Sequence, residues 1–354
     1  MKWKPKFIPF LLLILSILLI GIGGTFFYLS SPVDSKDTKE IEVVIPSGSS
    51  TTQIGKILKE NHIIRSENMF KLVVKVQKVS SLKASTYLFK KSMSLQEVIA
   101  SLEKGSTYNP NQIQLTFKEG ERITDYAKVI ANGTNHTYEE VIALMKDTTY
   151  LQTLISKYWF LTDSILDPNI YYPLEGYLAP ETHFFDSKDV SMESIIDTLL
   201  KQTEKNLSSY KNLMSKDVHY YMTMASIAEL EGTTTENRKM IVGIFENRLS
   251  SSMNMGSDVT TYYGLQKDMK RDLTTEEFAS VNAYNTRSTT MIGKMPVGPI
   301  CNPSVSSIEA SVSPTKNDYF FFVADKHGKI YYTKTNQEHN QKVQEIKAAG
   351  NWIW

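Results

Sequence analysis

The sequence predicts an α+β fold carried on one N-terminal transmembrane helix. Three observations predict it. No Asp, Glu, Lys or Arg occurs from Phe7 to Val33. A β-branched strand, two amphipathic helices and a second strand follow in the order βααβ over residues 41–90. Beyond them, helical stretches such as Thr137–Met145 and Met192–Leu207 are joined by segments rich in polar, aromatic, Pro and Gly residues. The 354 residues suffice for roughly two domains. Hydrophobic content of 41% and charged content of 22% are ordinary for a globular chain. A formal charge of +1, with no basic tract interleaved with aromatics, gives no support for nucleic-acid binding.

The first element is "FIPFLLLILSILLIGIGGTFFYL", residues 7–29. It exceeds the roughly 20 apolar residues needed to cross a bilayer at about 1.5 Å rise each. Lys2, Lys4 and Lys6 precede it, and the positive-inside tendency then places residues 1–6 in the cytoplasm. A cleaved signal peptide is the alternative reading. The run is longer than a typical h-region, and no A-x-A-like cleavage site follows. Everything after Ser30 is therefore expected outside the cytoplasmic membrane.

Residues 30–40, "SSPVDSKDTKE", are polar and turn-rich and read as a tether. The strand "IEVVIP" ends at Pro46, and Ser49 or Ser50 caps a helix whose apolar face is Ile54, Ile57 and Leu58. A second helix runs from Ser66 through Phe70, Val73, Val74 and Val76, and "STYLF" (85–89) is a short strand. Ser94 and Glu97 form a capping-box pattern before Val98, Ile99 and Leu102, and Gly105 stops that helix. In element order and length, residues 41–105 resemble a LysM-like module, a small fold that binds N-acetylated glycans. A packing domain without a ligand fits the same pattern.

A weak internal echo links "VVIPSGSSTTQIGKIL" to "QLTFKEGERITDYAKVI", each reading strand, Gly, polar cap, helix. Gly48 matches Gly120 and Ile57 matches Val129. Two copies do not make a solenoid, and the second is expected to open a larger α+β domain over residues 106–354. The single cysteine, Cys301, cannot close an intramolecular disulfide, and it lies in "PVGPICNP" with no nearby His to activate it. An exported domain of this size can be stable through its core alone.

Familiar catalytic schemes are missing from the sequence. The six histidines form no H-E-x-x-H or other close metal spacing. No G-x-S-x-G elbow, phosphate loop or dinucleotide fingerprint occurs. What remains, between residues 172 and 340, is a series of turn-forming segments dense in Tyr, Asn and carboxylates, a composition that suits a sugar-binding groove but also ordinary loops. In order they include Glu175-Gly176-Tyr177-Leu178, Ala225-Ser226-Ile227-Ala228-Glu229-Leu230-Glu231, Phe245-Glu246-Asn247-Arg248-Leu249 and Ser257-Asp258-Val259-Thr260. Tyr284-Asn285-Thr286, Pro296-Val297-Gly298-Pro299-Ile300 and Glu338-His339-Asn340 complete the series.

On these segments the chain resembles the YceG-like family of membrane-anchored endolytic murein transglycosylases. The resemblance spans nearly the whole chain, with four departures. Val259 stands where the family has proline, Arg287 where it has an aromatic, and Ile330 where many members have histidine. The stretch from Tyr284 to Pro296 is a few residues longer than usual. The family implies cleavage of the MurNAc-β-1,4-GlcNAc bond inside nascent peptidoglycan strands, leaving a 1,6-anhydro-MurNAc end and ending glycan elongation. It implies Glu231 as the catalytic residue. Glu175, Tyr177, Ser257, Asp258, Thr260, Tyr284, Asn285, Thr286, His339 and Asn340 are its expected substrate-binding residues, with Glu229 and Arg248 in support. No metal or cofactor is implied. The implied partners are glycan strands, the cytoplasmic membrane and wall-synthesis or elongation proteins. A non-catalytic peptidoglycan-binding scaffold and a muramidase-type hydrolase stay open as alternatives.

A hydrolase needs a general acid plus a second carboxylate as base or nucleophile. A lytic transglycosylase uses the substrate's own C6 hydroxyl, so one glutamate can act first as acid and then as base. "VHYYMTMASIAELE" (218–231) reads as a helix with Val218, Met222, Ala225 and Ala228 on one stripe. At about 100° per residue, Glu229 and Glu231 point about 200° apart and cannot both reach one bond. Gly232 suits a helix stop, and Thr233 with Glu236 suits a capping box for the next helix. Glu231 thus sits at a helix C-terminus, where the dipole and an apolar groove wall both raise a carboxyl pKa, as a general acid requires.

Overall fold

Phe7–Ser30 forms one uninterrupted helix, α1, in a computed structural model that describes residues 7–79 and 81–352. The three lysines on which the orientation of α1 rests lie outside the described residues. Pro9–Ser30 has mean hydropathy 2.6 and buries none of its apolar window against protein, so it is long and apolar enough to cross a membrane. The chain divides into two compact units, Met1–Asn111 and Gln112–Trp354.

In the first unit, strand β1 (Glu40–Ile45) is followed by helices α2 (Thr51–Glu60) and α3 (Glu67–Val76), strand β2 (Ser85–Lys90) and helix α4 (Leu95–Lys104). The strands pair antiparallel, from Glu40 opposite Lys90 to Ile45 opposite Ser85. Their alternation sends Val43, Ile45, Tyr87 and Phe89 into a core shared with Ile54, Leu58, Phe70, Val73, Val98 and Leu102. Ser50 with Gln53 and Ser94 with Glu97 form reciprocal capping boxes, and Ser66 caps α3.

Residues 30–40, expected to be a tether, are fastened to this unit. Arg65 donates from Nε and Nη2 to the Pro32 carbonyl (3.0 and 2.6 Å) and from Nη2 to the Val33 carbonyl (3.0 Å). The Asp34 and Ser92 amides donate to the Lys91 and Asp37 carbonyls at 3.1 Å. The planar fork of an arginine satisfies several carbonyls at once just after a helix end, where such acceptors lack partners.

The second unit runs β3 (Ile113–Thr116), α5 (Ile123–Gly133), α6 (Tyr138–Lys146), α7 (Thr148–Lys157), β4 (Thr182–Phe185), α8 (Met192–Ser208) and α9 (Val218–Glu231). It continues with α10 (Thr235–Ser250), α11 (Asp258–Gly264), α12 (Thr275–Phe278), α13 (Val305–Val312), β5 (Phe321–Ala324), β6 (Ile330–Thr333) and α14 (Asn336–Ala348). Strand β3 pairs antiparallel with β4, and β5 with β6. Small two-stranded sheets set apart among many helices make the whole an α+β protein. The internal echo has a backbone counterpart: Gly48 (φ 78°) and Gly120 (φ 74°) both take the left-handed turn before their helices.

Helix α9 organises this unit. The sequence suggests one apolar stripe, but Val218 and every residue from Tyr221 to Ala228 are buried. Val218, Met222 and Ala225 join the core built on α5 to α8. Met224, Ile227 and Ala228 join a second core with α10, Tyr263, Tyr284 and Ile300. A helix buried all round lies between two cores, and its polar C-terminal turn emerges where they part.

Candidate active site

The last turn of α9 carries Glu229 and Glu231 to different surroundings, as their spacing requires. Glu229 is consumed by structure. Its Oε1 accepts from Arg238 Nη2 (2.8 Å), and its Oε2 accepts from the Ser304 amide (2.9 Å), Ser304 Oγ (2.5 Å) and Ser307 Oγ (2.7 Å). Its side chain is 6% exposed, and these bonds pin α9 to α10 and to the start of α13. Arg238 Nε also donates to the Gly232 carbonyl at 2.9 Å.

Gly232 does end α9, but for a different reason from the one its position suggests. Its φ is −116°, an ordinary extended value. A Cβ there would meet the Arg238 side chain at 2.7 Å and its backbone at 3.0 and 3.1 Å, so close approach of α10 demands the glycine. The cap of α10 is Thr234, whose side chain accepts from the Asn237 amide, not Thr233.

Glu231 faces a cavity of about 570 Å³. Ser257 Oγ donates to Glu231 Oε1 at 2.6 Å. Burial is the main cause that raises the Glu231 pKa, with the Asp258 charge adding to it; the Ser257 hydroxyl and the Arg287 and Arg248 cations oppose. The cavity wall is built from Arg248 of α10, Asp258 and Val259 of α11, Arg287, Phe321 and Phe322 of β5, His339 of α14 and Trp352.

Each charged neighbour of Glu231 is itself tied down. Asp258 pairs with Arg287. Arg248 Nε donates to the Phe320 carbonyl at 2.6 Å and Nη1 donates to the Met255 carbonyl. Burial, then the Arg287 charge, brings Arg248 down to about 10, so it stays cationic near neutral pH. His339 packs on Phe321 (5.6 Å between centroids), and burial together with the Arg248 charge lowers its pKa, favouring neutral imidazole. Its Nδ1 is buried without a hydrogen-bond partner among the described residues.

Most of the expected sugar contacts lie behind this wall. Thr260, Asn285 and Thr286 are fully buried and Ser257 nearly so. They form one polar network: Thr260 Oγ1 meets Thr286 Oγ1 (2.8 Å), Thr286 Oγ1 accepts from the Ser257 amide (3.0 Å), and Thr261 Oγ1 donates to Asn285 Oδ1 (2.6 Å). The network holds the Ser257 turn against Glu231. Tyr284 is fully buried against Tyr263 and Tyr171. Tyr177 is fully buried in the α5–α8 core, its hydroxyl 2.8 Å from His219 Nδ1. Asn340 is exposed on α14, outside the cavity lining. Tyrosine, threonine and asparagine serve cores and turns as readily as sugars, so residue type alone could not separate these places.

Glu175 is also buried. Its Oε1 accepts from the Ile123 amide at the start of α5 (3.0 Å), and Tyr263 Oη lies 3.1 Å from its Oε2. Burial pushes its pKa up to about 8. It is linked to the site through Tyr263, which shares α11 with Asp258.

Of the expected residues, then, Glu231, Asp258, Arg248 and His339 line the cavity, and Ser257 touches Glu231. Sequence reasoning missed the aromatic wall of Phe321, Phe322 and Trp352. Val259, Arg287 and Ile330, noted only as departures from the family pattern, all line the cavity.

Residues 43–345 match the YceG-like family. The chain is 37% identical over 337 residues to an endolytic murein transglycosylase of Bacillus subtilis strain 168, an overlap of 93% of this chain and 92% of the relative. It is 33% identical over 351 residues to a protein of the same name from Streptococcus pneumoniae serotype 2 strain D39, covering 92% of this chain but only 63% of that longer relative. A crystal structure of a YceG-like protein from Listeria monocytogenes superposes with a TM-score of 0.61 at 34% identity, covering 86% of this chain and 99% of that one.

Proposed function

This chain belongs to the YceG-like family, and on that premise we propose that it is a lytic transglycosylase that cuts peptidoglycan glycan strands internally, with Glu231 as its single acid and base. The observation that carries the reading is the unequal placement of the two glutamates. Glu229 is locked by four hydrogen bonds at 6% side-chain exposure. Glu231 opens on the cavity with a raised pKa.

The reaction balances without water. Protonated Glu231 gives its proton to the glycosidic oxygen as the C1–O bond of MurNAc breaks, and the GlcNAc C4 hydroxyl leaves. The C6 hydroxyl oxygen of the same MurNAc bonds to C1, and its proton returns to the Glu231 carboxylate. The product end is 1,6-anhydro-MurNAc, and the enzyme regains its starting state. A raised pKa suits the first step, because a carboxyl must hold its proton near neutral pH to act as an acid. Ser257, by donating to the carboxylate, stabilises the ionised form that waits for the second proton. Phe321, Phe322 and Trp352 offer faces for sugar rings, Asp258 and His339 offer polar contacts, and Arg248 braces the wall.

Around this centre we place α1 as a single-pass anchor with the remainder outside the cytoplasmic membrane, and residues 41–105 as a LysM-like module. Its βααβ order and capped helices support that reading. A tethered enzyme would meet new strands beside the wall-synthesis proteins and could end their elongation.

One observation favours a second reading. Asp258 lines the same cavity as Glu231, so a hydrolase with two carboxylates is the rival. Asp258 is committed to Arg287, which argues against its activating water. Digestion of glycan strands with the full chain, followed by mass spectrometry, separates the readings. Anhydro ends support the transglycosylase, hydrated reducing ends the hydrolase, and intact strands that remain bound a scaffold.

A further inference from the structure

With Glu231 protonated, the charges that line the catalytic cavity do not balance. Arg248 and Arg287 face Asp258 alone, because burial and the Arg248 charge favour the neutral imidazole at His339. Burial lowers the Arg248 pKa, and the nearby Arg287 charge lowers it further. A surplus cation has nothing to neutralise on an uncharged sugar ring, but it attracts an anion that arrives with the substrate.

The two arginines are not equally free. Arg248 uses its fork on the Phe320 and Met255 carbonyls. Arg287 is held from other sides. Its amide donates to Asn285 Oδ1 at 3.1 Å, its guanidinium lies 5.2 Å over the Phe278 ring, and its Nε donates to Asp258 Oδ1. Neither Nη atom of Arg287 has an acceptor among the described residues, and the side chain is 42% exposed. A guanidinium carries several N–H donors in one plane, so the edge left over beside the Asp258 bond can take a carboxylate through two parallel bonds. The position fits as well. Arg287 lines the Glu231 cavity and also a second hollow of about 400 Å³, formed with Thr275 and Phe278 of α12 and with Ala279.

We propose that Arg287 selects the substrate by binding, through its two Nη atoms, a carboxylate carried on the C3 substituent of MurNAc while its Nε keeps Asp258. This rests on the reading of the cavity as a transglycosylase site. The sugar rings of peptidoglycan are uncharged. The C3 substituent is a lactyl ether whose carboxyl is either free or joined to a short peptide with carboxyl groups of its own. Both sources present the same group to the arginine. A substituent that leaves the Glu231 cavity past Arg287 enters the second hollow, so the scissile bond stays at Glu231 while the charge is read beside α12.

The test measures binding and cleavage of glycan strands by the full chain in detergent micelles. Strands that bear stem peptides, with their amines acetylated, and strands stripped of stems by an amidase are each prepared with carboxylates free or capped as methylamides. Binding is measured in the Glu231→Gln background, and cleavage in protein that keeps Glu231. Capping should weaken binding by about tenfold or more. The loss falls in the stem-bearing pair if the carboxylate is the peptide's, and in the stripped pair if it is the lactyl group's. Adding Arg287→Gln should abolish the difference between free and capped strands. Arg287→Lys should lose it too, because its one ammonium is taken by Asp258, and this variant decides the matter if Arg287→Gln does not fold. Equal binding of free and capped strands with Arg287 in place overturns the proposal. A preference that survives Arg287→Gln, or survives whole in Arg287→Lys, overturns it as well. If protein with Glu231 cuts no strand, the transglycosylase reading falls, while the binding ratios still decide what Arg287 does.

Discussion

Replacing Glu175 by glutamine removes a titrating group from the interior while keeping its shape and bonds. The amide oxygen can accept from Ile123 as Oε1 does, and the amide nitrogen can donate to Tyr263 Oη. The wild-type carboxyl has an ordinary value of 4.5 and is pushed up to about 8 by burial. A carboxyl raised in the folded state contributes stability that is complete below the unfolded value and is lost as pH rises through the folded one. Each unit is worth about 1.36 kcal/mol, so the window from 4.5 to about 8 spans about 5 kcal/mol, of which about 3 is gone by pH 7. The variant has no such slope. Urea unfolding followed by intrinsic fluorescence, run on both proteins between pH 4 and 9, should show Glu175→Gln gaining about 3 kcal/mol on wild type between pH 4 and pH 7. Parallel pH dependences would refute the burial argument. Cleavage should survive, because Glu175 does not line the cavity; a stable, well-folded and inactive Glu175→Gln protein would show that it touches substrate after all.

Other substitutions test neighbouring contacts. Ser257→Ala deletes the 2.6 Å donor to Glu231, and a hydrogen bond to a charged group is worth about 1.5 kcal/mol or more. The Glu231 pKa should rise further, because the Ser257 hydroxyl that holds it down is gone, moving the alkaline limb of the kcat profile upward; a limb that stays in place contradicts Glu231 as the titrating acid. Glu229→Ala strands Arg238 at 12% side-chain exposure and should cost about 3–5 kcal/mol in unfolding, whereas a loss under about 1 kcal/mol would mean that the pair is dispensable. Gly232→Ala forces a Cβ onto the Arg238 backbone at 3.0 Å. It should destabilise by about 1–3 kcal/mol and lower turnover more than substrate affinity by shifting the last turn of α9; wild-type kinetics would show that α10 yields freely.

The parts of this fold written in local pattern were readable. Helix α9 begins and ends at the expected Val218 and Glu231, and the Ser94–Glu97 box forms as its spacing requires. The opposed directions of Glu229 and Glu231 follow from helix geometry alone. The partners of those glutamates were not readable, since Ser257 and Ser304 arrive from remote turns and nothing local marks a serine as a donor to a particular carboxylate. Tyr177 and Tyr284 show the same limit from the other side. A tyrosine in a turn looks equally fit for a sugar or a core, and here the cores hold both. Two phenylalanines of the run "YFFFVA" form part of the cavity wall, and nothing in that run singles them out. Arg65 gave no sign of clamping the segment after α1, because carbonyl acceptors have no sequence signature.

The central claim is that one carboxylate, Glu231, performs both proton transfers and that water takes no part. Digestion of purified glycan strands in H₂¹⁸O, with mass analysis of every new end, tests it most directly. The account predicts 1,6-anhydro ends free of ¹⁸O from wild type, and none from a Glu231→Gln protein that remains folded. Reducing ends carrying ¹⁸O, or anhydro ends that persist in Glu231→Gln, would contradict it.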